Sequence, residues 1–237
     1  MTDNSANNKR IAINTILLYI RMLFTMVISL YTSRVILQVL GADDFGIYNV
    51  VGGVVVLFSF LTNAMTSSTQ RFLNYNLGLK NESKVSHIFN VSILTHFTIF
   101  LLVLLLSETV GLWFVMTQLN IPVGRETATM WVYQMSVVTT LIGIMVIPYR
   151  ASIIAAERMS IFAYVSILEV ALKLVVVLVL SYMSFDNLVM YSILLTLVAL
   201  LNFFIYQIEC RRKLSFTKYH FVWDKSQYKE MMSFSSW

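Results

Sequence analysis

IAINTILLYIRMLFTMVISLYTSRVILQVL (Ile11–Leu40) decides the fold class: it is a long, mostly apolar run whose only charges are Arg21 and Arg34. A helix that crosses a bilayer needs about 20 apolar residues, and this run is longer than that. It also exceeds the roughly 7–15-residue apolar core of a cleavable secretory signal and lacks a small-residue cleavage site. It reads as a retained first helix.

Working outward, the pattern repeats. Phe45–Gln70, Thr127–Tyr149 and Asn187–Ile208 carry no charge, and Ile88–Ser107 is uncharged and continues past Glu108 to Val123. Met159–Tyr182 is apolar except for Glu169 and Lys173. The composition agrees: 58% hydrophobic, 12% charged, mean hydropathy +0.74, where soluble domains carry about 25% charged residues. The expectation is an all-α integral membrane protein with six transmembrane helices. Residues 1–208 form the transmembrane lobe and 209–230 a basic cytoplasmic linker, with 231–237 opening a seventh helix.

The excess of 17 Lys+Arg over 12 Asp+Glu belongs to topology rather than to nucleic-acid binding. With the N-terminus inside, the cytoplasmic side takes Lys9, Arg10, Arg71, Lys80, Lys84, Arg150 and Arg158 and all six cations of the linker. The opposite side keeps Arg125 alone. Such a bias orients the chain with its N-terminus cytoplasmic. The external connections, Gly41–Asp44, Gly124–Glu126 and Met183–Asp186, are too short to carry a loop-borne active site. The linker carries Phe216, Tyr219, Phe221 and Trp223, expected at lipid-headgroup level with its cations against anionic lipid. Cys210 is the only cysteine, which excludes an intrachain disulfide; it reads as an ordinary thiol near a helix end.

Charges inside the spans are the functional signal. Arg21 lies ten residues into the first span, about 15 Å deep at 1.5 Å per residue, and so near the midplane. An arginine there costs roughly 2.5–3.5 kcal/mol unless it faces protein or water. Asn14, Thr25 and Thr32 fall within about 40° of it at 100° per residue, which gives the helix a polar stripe. Arg34, near the outer end, either snorkels to the headgroups or lines a cavity. On the second span Ser59, Thr62, Asn63, Thr66 and Gln70 share one face leading to Arg71. Two polar stripes around a deep arginine point to a hydrated cationic cavity suited to an anionic or phosphate-bearing ligand. Its candidate binding residues are Arg21, Arg34, Arg71, Asn14, Thr25 and Asn63.

Glu169 and Lys173, at i and i+4, are either a self-neutralising pair or a coupling-ion or proton site. His87 and His96 lie about 180° apart on a helix and cannot share a metal. His96 reads as a hydrogen-bonded packing residue, and Glu108 as interfacial. Walker, GxSxG and HExxH motifs are missing. The chain reads as a carrier with no catalytic residues, metal or cofactor, rather than as an enzyme.

Four segments carry a family resemblance. SRVILQVLGADDFGIYNVVGG (Ser33–Gly53) followed by STQRFLNYNLG (Ser68–Gly78) resembles the start of bacterial polysaccharide repeat-unit (O-antigen) flippases. These belong to the multidrug/oligosaccharidyl-lipid/polysaccharide exporter superfamily. IPYRASIIAAERMSIFAYVSILEVALKL (Ile147–Leu174) is similar to their fourth-to-fifth helix connection, and YKEMMSFSSW (Tyr228–Trp237) to the beginning of their seventh helix. Locally, Gly41 should end the first helix, with Asp43 and Asp44 capping the next.

The resemblance implies two lobes of six or seven helices around an alternating cavity, of which this chain would be the N-terminal one. A fragment of a longer transporter is expected; a dimerising half-transporter is the other reading. The implied substrate is an oligosaccharide on undecaprenyl diphosphate, moved across the bacterial inner membrane for lipopolysaccharide and other surface polysaccharides. Implied partners are that lipid-linked oligosaccharide, membrane lipids, and the polymerase and glycosyltransferases of the same biosynthesis. A multidrug exporter or a peptidoglycan-precursor flippase of the superfamily is the alternative.

Overall fold

The computed structural model describes residues 2–57, 60–220 and 224–234, which are helical nearly throughout, with no strand among them. The helices are α1 (Thr2–Leu57), α2 (Phe60–Gly78), α3 (Glu82–Leu106), α4 (Leu112–Thr117), α5 (Glu126–Ala155), α6 (Met159–Leu180), α7 (Asn187–Lys213) and α8 (Lys225–Phe234). A π-helical turn (Ser107–Gly111) joins α3 to α4, and a 3₁₀ turn (Ser215–Thr217) follows α7. Five stretches are long and apolar enough to cross a membrane: Ala12–Leu57, Glu82–Thr117, Glu126–Ala155, Met159–Leu180 and Asn187–Lys213.

The break expected at Gly41 is present. Within α1 this glycine has φ 77° and ψ 172°, a conformation that a side chain would strain. It divides α1 into arms 2–40 and 42–57. Asp44 beyond it is held by Arg125 instead of standing free as a helix cap. The next expected boundary moves. The sequence pattern closes a span at Tyr149, because a proline and an arginine flank it. In the structure α5 runs through Pro148 and Arg150 to Ala155. A proline removes one ladder hydrogen bond, yet neighbouring helices and hydroxyls re-satisfy such backbone in membrane helices. Here the Ser152 hydroxyl donates to the Pro148 carbonyl at 2.8 Å.

α5 is the hub and packs on α7, α3, α2, α1 and α6. The apolar interior forms two clusters. One, around Val51, Val103, Tyr133 and Leu188, lies toward the Gly41 turn; the other, around Leu73, Phe89, Ile153 and Phe216, lies toward the opposite end. The outward faces are as apolar as the interior: Leu105, Leu178, Leu201 and Phe204 are all exposed. In water such a surface would aggregate. Against lipid it gives no drive for helix association, so packing and interhelical hydrogen bonds hold the bundle together. One such bond crosses from α5 to the π turn, where the buried Tyr133 hydroxyl donates to the Ser107 carbonyl at 2.5 Å. Glu108 in that turn is exposed and accepts from Gln134 at 3.3 Å.

The expected linker is partly built into the bundle. α7 continues to Lys213, and α8 begins six residues before Met231. Phe216, expected at headgroup level, is buried with its ring 6.5 Å from that of Phe89; Tyr219 is exposed. Phe221 and Trp223 lie outside the described residues. Met231 is buried, and its carbonyl accepts from Ser68 at 3.4 Å. The His220 amide donates to Asn90 at 2.8 Å.

Candidate functional site

The two ends of the bundle differ in charge. At one end the Arg125 guanidinium forks onto both oxygens of Asp44, with Nε to Oδ1 at 2.8 Å, and its Nη1 reaches Asp186 Oδ2 at 2.5 Å. Asp186 Oδ1 meanwhile caps α7 through the amides of Leu188 and Val189. Three connecting segments are thereby joined by one cation, and Arg125 is held above its ordinary pKa, chiefly by Asp44. At the other end three cations, Lys80, Arg158 and Lys213, and one carboxylate, Glu82, line a single hollow.

Between these ends, α1, α5, α6 and α7 line a half-open cavity of about 490 Å³. Helical spacing explains its lining. Thr139, Gly143, Val146 and Arg150 are a single stripe of α5, and Phe162, Ser166, Glu169 and Lys173 a single stripe of α6. α1 contributes Arg21, Ser29 and Thr32, and α7 contributes Tyr191, Asn202 and Tyr206. Three lining cations, Arg21, Arg150 and Lys173, stand against one carboxylate, Glu169, so the lining carries a net charge of +2.

Arg21 is incompletely satisfied. Its Nη1 reaches the Ser166 hydroxyl only at 3.5 Å, and that hydroxyl donates to the Phe162 carbonyl at 2.8 Å. Its Cζ lies 4.5 Å from the centre of the Phe162 ring, a cation–π contact. Its Nε is buried and has no hydrogen-bond partner among the described residues. Neither Arg21 nor Arg150 has a carboxylate partner among the described residues. Seen from α6, Arg21 faces the first two turns, about 10 Å from the helix start at 1.5 Å per residue. α6 is about 33 Å long at the same rise, so this level lies about 6 Å short of its middle.

Glu169 and Lys173 form the ion pair that their spacing allows, Nζ to Oε1 at 2.6 Å. The other carboxylate oxygen accepts from Asn202 on α7 at 2.6 Å. Both charged groups line the cavity, so the pair is self-neutralised without being removed from the site.

Of the five expected binding residues whose side chains are described, the structure brings Arg21 alone to this cavity. Thr25 donates to its own helix at the Met22 carbonyl, 3.0 Å, and Asn14 is half-buried on α1 outside the lining. Arg34 and Arg71 are exposed and line no part of it. The Asn63 side chain lies outside the described residues. His96 is buried, with Nδ1–H donating to the Ser92 carbonyl at 2.8 Å, as a packing histidine does. His87 instead meets Asp224 at 3.0 Å.

Sequence reasoning missed Arg150, which it assigned to a cytoplasmic loop, together with Ser166, Asn202 and Tyr206. A signal for Arg150 was present: it extends the Thr139–Gly143–Val146 stripe by one helical step. Cys210 is buried in the last turn of α7, and its Sγ lies 3.3 Å from the Tyr149 carbonyl.

No family model, no curated protein and no solved structure matches this chain.

Proposed function

We propose that this chain is the N-terminal, six-crossing lobe of a polysaccharide repeat-unit flippase. It would carry an undecaprenyl-diphosphate-linked oligosaccharide across the bacterial inner membrane, acting as a carrier with its N-terminus cytoplasmic. In this reading the arm 2–40, the arm 42–57 together with α2, the α3–α4 unit, α5, α6 and α7 each cross once. The Arg125 end then faces outward and the Lys80–Arg158–Lys213 end inward, in accord with the basic-loop bias.

The observation that carries the reading is the cavity. Two guanidinium groups without carboxylate partners among the described residues, Arg21 and Arg150, line one chamber among apolar helices. Leaving cations there uncompensated is costly, and guanidinium matches phosphate oxygens in geometry and charge. Toward the Arg125 end the lining changes to hydroxyls and tyrosines: Ser29, Thr32, Thr139, Tyr48 and Tyr191. The Tyr48 and Tyr191 rings meet edge-on at 4.9 Å. That half suits sugar hydroxyls and faces, as the cationic half suits a diphosphate. A carrier for cationic drugs would want free carboxylates, and the one lining carboxylate among the described residues, Glu169, is engaged by Lys173 and Asn202.

The test is surface polysaccharide in cells that depend on this transporter. Arg21→Ala should abolish it while protein abundance in the membrane stays normal. Unchanged export would remove Arg21 from the site and the reading with it.

A further inference from the structure

Among the described residues, the one carboxylate lining the cavity does not neutralise the two arginines. Glu169 is committed at both oxygens, to Lys173 at 2.6 Å and to Asn202 at 2.6 Å. Lys173 in turn is a compact cation on a flexible stem, half-exposed and lining the same space as Arg21 and Arg150. A ligand phosphate that reaches Lys173 must therefore compete with Glu169 for it. Asn202, on a different helix, keeps the carboxylate in place when Lys173 leaves.

We infer that Glu169 is the release residue of this cavity, an internal counter-ion that trades Lys173 with the ligand's phosphate. Empty, the cavity offers two guanidiniums that have no carboxylate partner among the described residues, and the lysine is held by its own carboxylate. Loaded, it offers three cations to a ligand of two or more negative charges, and Glu169 remains on Asn202. Recapture of Lys173 by Glu169 then weakens the loaded state and drives release. A cavity with all three cations permanently free would bind an anionic ligand tightly and let it go slowly. The assignment rests on the cationic-cavity reading, and names within it the group that limits affinity.

The test is binding of inorganic pyrophosphate to the purified 237-residue chain, for wild type and for Arg21→Gln, Glu169→Gln, Lys173→Gln and the Glu169→Gln/Lys173→Gln double variant. Glutamine at 169 keeps an oxygen for Asn202, so the α6–α7 contact survives; matched melting temperatures check this. The expected result is pyrophosphate binding about tenfold tighter for Glu169→Gln, a shift of the order seen for partly buried charge pairs. Lys173→Gln should weaken binding, and the double variant should match Lys173→Gln, since the carboxylate acts through the lysine. Unchanged or weaker binding by Glu169→Gln overturns the assignment. So does a double variant that gains over Lys173→Gln as much as Glu169→Gln gains over wild type, because the carboxylate would then act as diffuse charge. If wild type and Arg21→Gln bind pyrophosphate alike, or neither binds, the cavity reading itself fails and this assignment falls with it.

Discussion

Arg125 and Arg21 are the same side chain in opposite circumstances. Arg125 sits at a bundle end and engages two aspartates from two other segments. Arg21 lies inside the bundle and has one long contact to a serine, a phenylalanine face, and an Nε with no partner among the described residues. A guanidinium saturated by its own protein has nothing left to offer a ligand and serves the architecture. One left short of acceptors beside a cavity destabilises the empty protein and can recover that cost only by binding. Polar satisfaction, more than charge or depth, separates the structural arginine from the functional one.

The widest separation comes from exchanging the two losses. Arg21→Gln should eliminate export and leave thermal unfolding in detergent unchanged or slightly raised, because it relieves a half-buried cation whose Nε has no partner among the described residues. Arg125→Gln should do the reverse. Asp44 and Asp186 lose their shared partner, and charge-assisted hydrogen bonds contribute about 1.5–3 kcal/mol each when buried. Since Arg125 is about a third exposed, solvent screening reduces the total to about 2 kcal/mol. A fall of several degrees in melting temperature, with the pyrophosphate affinity of the purified chain intact, is the expected outcome. If Arg125→Gln lost binding and Arg21→Gln lost stability, the comparison would be inverted.

Most of the fold is legible in the sequence because lipid imposes a coarse rule: long uncharged runs are helices. Gly41 is legible because a glycine before Ala42–Asp43–Asp44 has a local conformational reason to end a helix. The site is only half legible. Arg21 stands out by its depth in an apolar run, and Glu169 with Lys173 by their i, i+4 spacing. Arg150 does not, since a proline and a cation at the end of a run look like a terminus. Whether α5 continues past them depends on neighbours in space, which periodicity does not report. A 100° wheel likewise gives the face of Thr25 but not the partner of its hydroxyl, which donates to the Met22 carbonyl of its own helix.

A smaller effect probes whether the cavity holds water. Ser166 lines it beside Arg21, and Cys210, the sole cysteine, is buried with its thiol against the Tyr149 carbonyl. A Ser166→Cys variant should react with a small, negatively charged thiol reagent, and the wild type should not. Pyrophosphate should slow that reaction by sharing the same cationic lining. Equal labelling of wild type and variant would show that Cys210 is reached from elsewhere and would void the comparison.

The smallest effect belongs to the other set of saturated charges, at the basic end. Asp224 accepts from the amides of Ser226 and Gln227 at 3.0 and 3.1 Å and from His87 at 3.0 Å, which starts α8 and ties it to α3. These bonds, that from Gln227 foremost, hold its carboxyl below the usual carboxylate range. A depressed carboxyl stabilises the fold above its unfolded pKa, near 3.9, and the benefit is lost as pH falls through the lower folded value. From about pH 5 to 8 the carboxylate cap is therefore fully present. Asp224→Ala should speed amide hydrogen exchange at Ser226, Gln227 and Tyr228, with export and pyrophosphate binding unchanged, because the capped turn is exposed and remote from the Arg21 cavity. Exchange as slow as in wild type would mean that Met231, the buried side chain of α8 itself, holds this helix without its cap.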